Sequence, residues 1–298
     1  MVTIDFRIRS SYLGRRRDAE LYPLISPTRY LVLRPSHRMP VSTLALNDGT
    51  RAPWIAFGTG TALYKKDVTH AITIAIQNGF THLDGAQMYK NETSLGAGII
   101  ASGKPRSGLY ITTKLEALAP GETPKTSLEK SLKRLRVEYV DVFLIHQPKQ
   151  HAGKLKEVWK GMEEAKAAGL TKSIGVSNFT ADHLKEILEV ATILPAVNQV
   201  RYTVSPGVVV QFFTVMEQVE AHPYVWKALG PNLEIHEKYG IVTSSYGGLS
   251  PLVRGKGGPL DPVVEQIRVR LENTWGSPVS DGQVLHKWLQ QKGVLVVT

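Results

Sequence analysis

The chain is predicted to fold as an α/β protein, a (β/α)8 or TIM barrel. Apolar strand-like runs alternate with helical patterns from about residue 40 onward, and this alternation favours a parallel sheet covered by helices. Eight strand-like runs can be counted, which is the number that closes such a barrel. The 298 residues, 42% of them hydrophobic, suffice for one large domain with a core, because a barrel of this kind takes roughly 250 residues.

A β-hairpin is predicted ahead of the barrel, where Asn47-Asp48-Gly49 forms a turn between Thr43–Leu46 and Ala52–Ile55. The barrel strands are predicted at Trp54–Phe57, Thr81–Asp84, Leu109–Thr113, Val140–Ile145, Ser173–Val176, Ala196–Asn198, Ile241–Ser245 and Val294–Val297. The apolar run of the fourth suits a strand that is buried on both faces.

Helices are predicted between several of these strands from apolar residues spaced three and four apart. Asp67 can cap the first helix, which ends near Gly79, and a later helix spans Leu155–Ala167. Two further helices are predicted from the apolar positions Leu128, Leu132 and Leu135 in one and Leu184, Ile187 and Leu188 in the other.

Three parts of the chain depart from this pattern. Residues 1–39 lack periodicity and hold eight arginines against three acidic residues, so a disordered basic extension is expected there, with the barrel domain at 40–298. Residues 200–218 fit neither a helix nor a short loop, which predicts an insert and favours a translated intron over an evolved loop. The chain stops at Thr298, so the barrel is expected to lack its last helix and to leave the eighth strand uncovered on one face.

The composition excludes several classes of protein. Cysteine is absent, which excludes disulfide frameworks and cysteine-based zinc sites, and no metal site is expected. No apolar run approaches the roughly 20 residues of a membrane span, so no membrane partner is expected. Half of the net charge of +10 lies in the first 40 residues and no helix has a basic stripe, so no nucleic acid partner is expected. We expect a cytoplasmic monomer.

Four polar residues are predicted to meet at the carboxyl end of the barrel, where the catalytic groups of this fold lie. Asp84, Lys114 and His146 end the second, third and fourth strands, and Tyr89 lies five residues after Asp84. Taken alone, each is more often a helix cap, a packing residue or a satisfied polar side chain. Their joint placement favours a catalytic site.

The segment His82–Glu92 resembles the aldo-keto reductase signature around a catalytic aspartate and tyrosine. Further motifs follow in the order that the family has them: Ile111–Lys114, Asp141–His146, Ile174–Phe179, and Asn198-Gln199 rejoined by Glu220–Pro223. On this resemblance, which covers roughly residues 42–298, the chain is identified as a member of the aldo-keto reductase family, most similar to its fungal ketoamide and aldose reductase branch.

The resemblance implies an NADP(H)-dependent oxidoreductase, of the alcohol dehydrogenase (NADP+) type, that reduces aldehyde or keto groups of small molecules to alcohols. It implies Tyr89 as the general acid and His146 as the group that orients the carbonyl oxygen. An ordinary tyrosine, with a pKa of about 10, is a poor acid at neutral pH. The resemblance therefore implies Lys114 as the charge that stabilises the phenolate, with Asp84 holding that lysine charged and oriented.

The same resemblance implies an NADP(H) site across the barrel mouth, with Tyr246 stacked on the nicotinamide ring; core packing is the alternative for this tyrosine. The cofactor-binding residues that it implies are Gly60, Thr61, Asp84, Ser177, Asn178, Gln199, Tyr246, Gly247, Leu249 and Leu252.

The substrate pocket is expected to include Ala62, Tyr89, His146 and Gln147. Many family members carry tryptophan where this chain has Ala62 and Gln147, so we expect a less aromatic and more polar pocket. The chain ends before the basic run that holds the ribose 2′-phosphate in the family, so its sequence does not define a preference between NADP and NAD.

Two alternatives to a reductase remain open. One is a barrel that keeps the fold and binds or regulates without turnover, in line with the insert and the early end. The other is an aldolase that forms a Schiff base at Lys114, which needs a neutral amine, whereas Asp84 favours the ammonium.

Overall fold

Eight parallel strands close into a barrel, which confirms the predicted fold. The computed structural model describes residues 41–202, 219–220, 223–224 and 226–298. The strands are β1 (Thr43–Ala45), β2 (Arg51–Pro53), β3 (Ile55–Gly58), β4 (His82–Asp84), β5 (Tyr110–Leu115), β6 (Val140–Ile145), β7 (Thr171–Ser177), β8 (Val197–Tyr202), β9 (Val219–Glu220), β10 (Val242–Tyr246) and β11 (Leu295–Val297). The barrel runs from β3 through β8 to β10 and β11, and β11 pairs with β3 to close the ring.

The helices of the described residues are α1 (Thr69–Gln77), α2 (Glu92–Ala101), α3 (Pro124–Leu135), α4 (Leu155–Ala167), α5 (Ala181–Leu188), α6 (Gly230–Tyr239), α7 (Ser250–Val253), α8 (Asp261–Trp275) and α9 (Asp281–Gln291). The bounds predicted for α4 are confirmed. Asp67 accepts a 2.8 Å hydrogen bond from the backbone N–H of Thr69, the first residue of α1, but the N-cap position that was predicted for Asp67 is occupied by Val68. Helices α2, α6, α7, α8 and α9 have no counterpart among the predicted helices. Within the described ranges, no helix combines the length and the apolar character that a bilayer crossing demands.

The predicted hairpin, β1 with β2, packs at the start of the barrel strands. Leu46 and Ala52 join an apolar cluster with Tyr110, Val142 and Leu144 from β5 and β6. This hairpin covers the amino-terminal end of the barrel, so the opposite end is the one left for polar side chains at the strand ends.

The main core lies between the strands and the helices, and it determines which strand residues face inward. Ile111 and Leu115 of β5 belong to this outer core. Because side chains alternate along a strand, Lys114 faces the interior of the barrel. The predicted third strand stopped at Thr113, whereas β5 continues to Leu115, so Lys114 is held within the strand instead of following it.

The first two residues of β11 and Val294, which precedes them, are buried, whereas Val297 at the end of the strand is partly buried. Val294, Leu295 and Val296 are 1%, 3% and 1% exposed. The expectation that the eighth strand is uncovered on one face is therefore wrong, because side chains pointing both into and out of the barrel are shielded from solvent.

The predicted insert begins inside a barrel strand. Val200 is fully buried and pairs with Ser245 across the junction of β8 and β10. Strand β8 continues to Tyr202, and β9 pairs with it antiparallel through Tyr202 and Val219. The first three residues of the predicted 200–218 insert thus extend a regular strand; residues 203–218, like the predicted extension at 1–39, lie outside the described part of the chain.

Candidate active site

A buried ion pair joins β4 and β5 inside the barrel. Lys114 is fully buried, and its ammonium donates to Asp84 Oδ1, to the carbonyl of Gly85 at 2.9 Å and to the hydroxyl of Tyr89 at 3.5 Å. Burial lowers the pKa of the Lys114 ammonium from its usual value, and the contact with Asp84 opposes this shift. All three ammonium protons have acceptors, so this lysine is arranged as a charge and a donor, not as a nucleophilic amine.

Tyr89 lies in a short 3-10 turn, Gln87–Tyr89, that follows β4. Its hydroxyl faces Lys114, and its ring makes an edge-to-face contact with His146, with 5.5 Å between the ring centroids. Gly60 lies against the same ring, since a Cβ placed on it would be 2.9 Å from Tyr89 Cζ. The half-exposed phenol is thus held between a cation, an imidazole and a glycine.

His146 follows β6 and is buried. Burial, and secondly the charge of Lys114, lower the pKa of His146 to about 3. Its Nδ1 has no hydrogen-bond partner among the described residues. At neutral pH the ring is therefore neutral, so it can donate one hydrogen bond but holds no readily released proton.

Amide and hydroxyl side chains from β7, β8 and β10 surround this cluster. The Asn178 amide donates to the carbonyl of His146 at 2.9 Å and to Ser177 Oγ at 3.0 Å, and its Oδ1 accepts from the Tyr246 hydroxyl at 2.8 Å. Asn178 has a positive φ of 61°, a conformation that asparagine tolerates better than most residues. The half-buried Tyr246 ring is thus tied to the site by its hydroxyl, so core packing alone does not describe it.

Gln199 connects this amide set to the ion pair. Its side-chain amide donates to Asp84 Oδ2 at 2.8 Å, so the two oxygens of Asp84 serve Gln199 and Lys114 separately. The backbone carbonyl of Gln199 accepts from Ser177 Oγ at 2.8 Å. Eight of the predicted site residues are therefore joined by direct contacts: Asp84, Tyr89, Lys114, His146, Ser177, Asn178, Gln199 and Tyr246.

The remaining predicted site residues differ in exposure and in packing. Thr61 and Ala62 are exposed, and Gln147 is buried. The side chains of Leu249 and Leu252 pack against an apolar cluster that contains Val264 and Val284. The two leucine side chains are thus packed within the protein. The segment begins at a turn in which Gly247 has a positive φ of 86°.

Sequence reasoning missed the side chains that surround the Tyr89 turn. Gln87 and Glu92 are both buried and both bonded to residues beside Lys114. A glutamate that opens a helix is ordinarily explained by the helix dipole. The one available signal was proximity, since Glu92 lies three residues after Tyr89 and belongs to the motif that carried the resemblance.

Fold and site together define a (β/α)8-barrel protein with a buried lysine–carboxylate pair beside a tyrosine and a neutral histidine. The model of the Aldo/keto reductase family matches residues 54–233. The chain is 36% identical over 260 residues to the NAD/NADP-dependent indole-3-acetaldehyde reductase of Schizosaccharomyces pombe, which covers 84% of this chain and 82% of that protein. It is 40% identical over 264 residues to the glyoxal reductase of Bacillus subtilis, with 87% and 83% covered.

Solved structures agree with these sequence relatives. An aldo/keto reductase from Brucella melitensis superposes with a TM-score of 0.67 at 27% identity, covering 87% of this chain and 88% of that one. The Bombyx mori aldo-keto reductase in complex with NADP has a TM-score of 0.67 at 29% identity, with 87% and 83% covered. The chain belongs to the aldo/keto reductase family.

Proposed function

We propose that this chain reduces aldehyde or keto groups of small molecules to alcohols with NADP(H), and that Tyr89 is the general acid. The observation that carries the proposal is the phenol of Tyr89 lying 3.5 Å from the buried ammonium of Lys114, beside a histidine that is neutral at physiological pH. The names of the indole-3-acetaldehyde and glyoxal reductases support an aldehyde as the substrate class.

The residues present fit a nicotinamide cofactor. Ser177, Asn178 and Gln199 offer amide and hydroxyl groups that match the donors and acceptors of a carboxamide, and their present partners include one another, Asp84, His146 and Tyr246. The half-buried ring of Tyr246 offers a flat face next to this set. Reduced nicotinamide, when bound, would supply the hydride.

The protein's own part in the reaction is the proton. A carbonyl that receives a hydride becomes an alkoxide and needs a proton at its oxygen. Tyr89 Oη supplies it, and the charge of Lys114 stabilises the phenolate that remains. Asp84 compensates the lysine charge and fixes its position, because it pairs with the ammonium through one oxygen and with Gln199 through the other.

His146 acts in this proposal as a hydrogen-bond donor to the carbonyl oxygen. Its neutral ring can polarise the carbonyl without competing as a proton source. The Asn178 amide donates to the backbone carbonyl of His146 at 2.9 Å, which links the position of His146 to a residue that is proposed to bind the carboxamide.

The test is NADPH consumption by the wild type and Tyr89→Phe, with glyoxal and an aromatic aldehyde as substrates. Loss of the phenol should reduce the rate about a hundredfold or more, as general-acid steps contribute about 10²–10⁴. NADPH binding, followed by tryptophan fluorescence, should be unchanged. Tyr64→Phe is the matched control, since Tyr64 is exposed and should be replaceable without loss of rate.

Two outcomes would count against the proposal. A Tyr89→Phe variant that keeps more than a small fraction of the rate would mean that another group is the acid. NADPH binding without turnover of any carbonyl by the wild type would favour the alternative of a non-catalytic binding barrel.

A further inference from the structure

We infer that Gln87 and Glu92 are positioning residues that hold the turn carrying Tyr89 at a fixed distance from the strand carrying Lys114. The inference rests on the proposed function, in which the separation of these two groups determines how well Tyr89 acts as an acid. Gln87 and Glu92 touch neither reacting group, and both act through residues that flank Lys114 on β5 and its continuation.

Glu92 makes the first of two hydrogen bonds that link the segment around Tyr89 to the strand of Lys114. Its Oε1 accepts a 2.6 Å hydrogen bond from the hydroxyl of Thr113, the residue immediately before Lys114. Glu92 is buried, and its other oxygen accepts from Arg134 Nε at 2.7 Å. A buried carboxylate without such partners would be strongly unfavourable, so this side chain has little freedom to move away from Thr113.

Gln87 makes the second of these hydrogen bonds, on the far side of Lys114. Its Oε1 accepts a 2.8 Å hydrogen bond from the backbone N–H of Glu116, two residues after Lys114. Lys90 reaches the carboxylate of the same Glu116 at 2.5 Å, although this ion pair is largely exposed and is expected to add little. The segment around Tyr89 is thus hydrogen-bonded to β5 at Thr113, before Lys114, and to its continuation at Glu116, after Lys114.

The geometry of the turn explains why these hydrogen bonds affect Tyr89. Tyr89 is in a one-turn 3-10 element, and Lys90 has a positive φ of 56°, so the turn is not part of a long regular element. Tyr89 Oη and Lys114 Nζ are 3.5 Å apart, and the attraction between an ammonium and a phenolate falls as they separate. A shift of the turn relative to β5 therefore raises the pKa of the phenol and slows proton transfer.

The same two side chains are also bonded to α3, which supplies a control. Ser131 of α3 lies 2.9 Å from Gln87 Nε2 and 3.3 Å from Glu92 Oε2, and it is fully buried. Within the part of the chain that the structure describes, the Ser131 hydroxyl is hydrogen-bonded to Gln87, Glu92 and Arg134 and not to β5. Removing its hydroxyl disturbs the same side chains without cutting their connection to the lysine strand.

The experiment compares Thr113→Val, which removes the hydroxyl that Glu92 accepts from, with Ser131→Ala. Two quantities are measured in each: the pH dependence of kcat for aldehyde reduction, and the ionisation of Tyr89, obtained as the tyrosinate absorbance of each protein minus that of the same protein carrying Tyr89→Phe. In Thr113→Val we expect kcat to fall about tenfold, and the alkaline limb of the profile and the Tyr89 ionisation to move up by about half a pH unit or more. Ser131→Ala should leave both unchanged, and Thr113→Ser should rescue them.

Gln87→Met keeps the length of the side chain but lacks the amide, so it tests the hydrogen bond between Gln87 and the backbone of Glu116. This variant replaces Thr113→Val in the experiment if Thr113→Val does not fold. An unchanged Tyr89 ionisation in Thr113→Val and Gln87→Met would overturn the inference, as would equal shifts in Thr113→Val and Ser131→Ala. If the wild type reduces no carbonyl, the proposed function fails on that result alone. The tyrosinate titration then still decides whether the two residues hold Tyr89 near Lys114.

Discussion

Gly60 and Tyr89 are in contact, and the absence of a side chain on Gly60 leaves room for the phenol. In Gly60→Ala the added Cβ would lie 2.9 Å from Cζ and 3.2 Å from the hydroxyl of Tyr89, so the ring must move. Because a displacement of about 1 Å can cost about a hundredfold in rate, we expect kcat to fall between tenfold and a hundredfold, roughly, while the melting temperature changes little.

The matched control for Gly60→Ala is Gly230→Ala. A Cβ on Gly230, at the start of α6, would have no neighbouring heavy atom within 4 Å. Steady-state kinetics and thermal melts of both variants decide the prediction. A Gly60→Ala protein with the kinetics of Gly230→Ala would show that the position of the Tyr89 ring is not critical.

The neutral state of His146 predicts the shape of the pH profile. With a pKa of about 3, this residue should cause no change in kcat/KM between about pH 5 and 8, whereas an ordinary histidine titrates in that range. His146→Ala should remain folded but lose rate, because a hydrogen bond to the carbonyl oxygen is removed. An acidic limb near neutrality that disappears in His146→Ala would contradict the assignment.

The convergence of Asp84, Tyr89, Lys114 and His146 could be predicted from the sequence, since the carboxyl ends of barrel strands meet at one mouth. The contacts of Gln87 and Glu92 could not. They depend on which faces of α2 and α3 meet behind β5, and nothing in the spacing of Glu92, Ser131 and Arg134 indicates that they share one buried network.

Helix α2 illustrates the same limit at the scale of an element. Its residues include Gly96 and Gly98, which lower helix propensity and made the segment unlike the helices predicted from apolar spacing. The structure gives the reason for both glycines. A Cβ on Gly96 would lie 2.5 Å from the carbonyl oxygen of Leu135 in α3, and one on Gly98 would lie 2.7 Å from that of Thr69 in α1.

Close packing of α2 between α1 and α3 predicts the effect of enlarging these positions. Gly96→Ala should lower the free energy of unfolding by about 1–3 kcal/mol, because the overlap with backbone outweighs the propensity gained by alanine. Urea denaturation measures this change. Thr93→Ala, at an exposed position of the same helix, should stay within about 0.5 kcal/mol of the wild type, and a stabilised Gly96→Ala would refute the close contact.

At the scale of the whole molecule, buried and partly buried histidines link stability to pH. Burial lowers the pKa of His82, His146, His151, His236 and His286, in His236 and His286 to about 4. In the unfolded chain these rings protonate near pH 6.5, whereas in the folded protein they stay neutral to lower pH. Between these values the unfolded chain binds more protons, so stability is complete above about pH 6.5 and is lost as the pH falls.

We therefore expect the free energy of unfolding to decrease steadily from about pH 7 toward pH 4, measured by urea denaturation at a series of pH values. His236, which accepts from Asn198 through Nε2, accounts for roughly 3 kcal/mol of this loss when the shift to about 4 is complete. In His236→Gln the slope should be shallower. A stability that is constant or increases toward pH 4 would contradict the buried neutral state of these rings.

The barrel as a whole was predictable because its eight strands are separate apolar runs, and counting them is enough to suggest closure. What surrounds each strand was not predictable. The order of elements suggested an uncovered face on β11, yet Val296 of this strand and Val294 just before it are both buried, because burial depends on all neighbours in space and not on the next helix in the chain.

The pairing of β8 with β9 has a bearing on how this lineage can change. Tyr202 and Val219 are partners in an antiparallel ladder, so the chain that leaves the barrel at one returns beside it at the other. The two ends of the segment between them are therefore held together by this pairing. Doubling the length of such a segment costs only about 0.6 kcal/mol in loop-closure entropy. Sequence can be gained or lost here without shifting the register of Val197 and Asn198 against β10. Evolution can therefore explore new material next to Gln199 while the inherited chemistry stays in place.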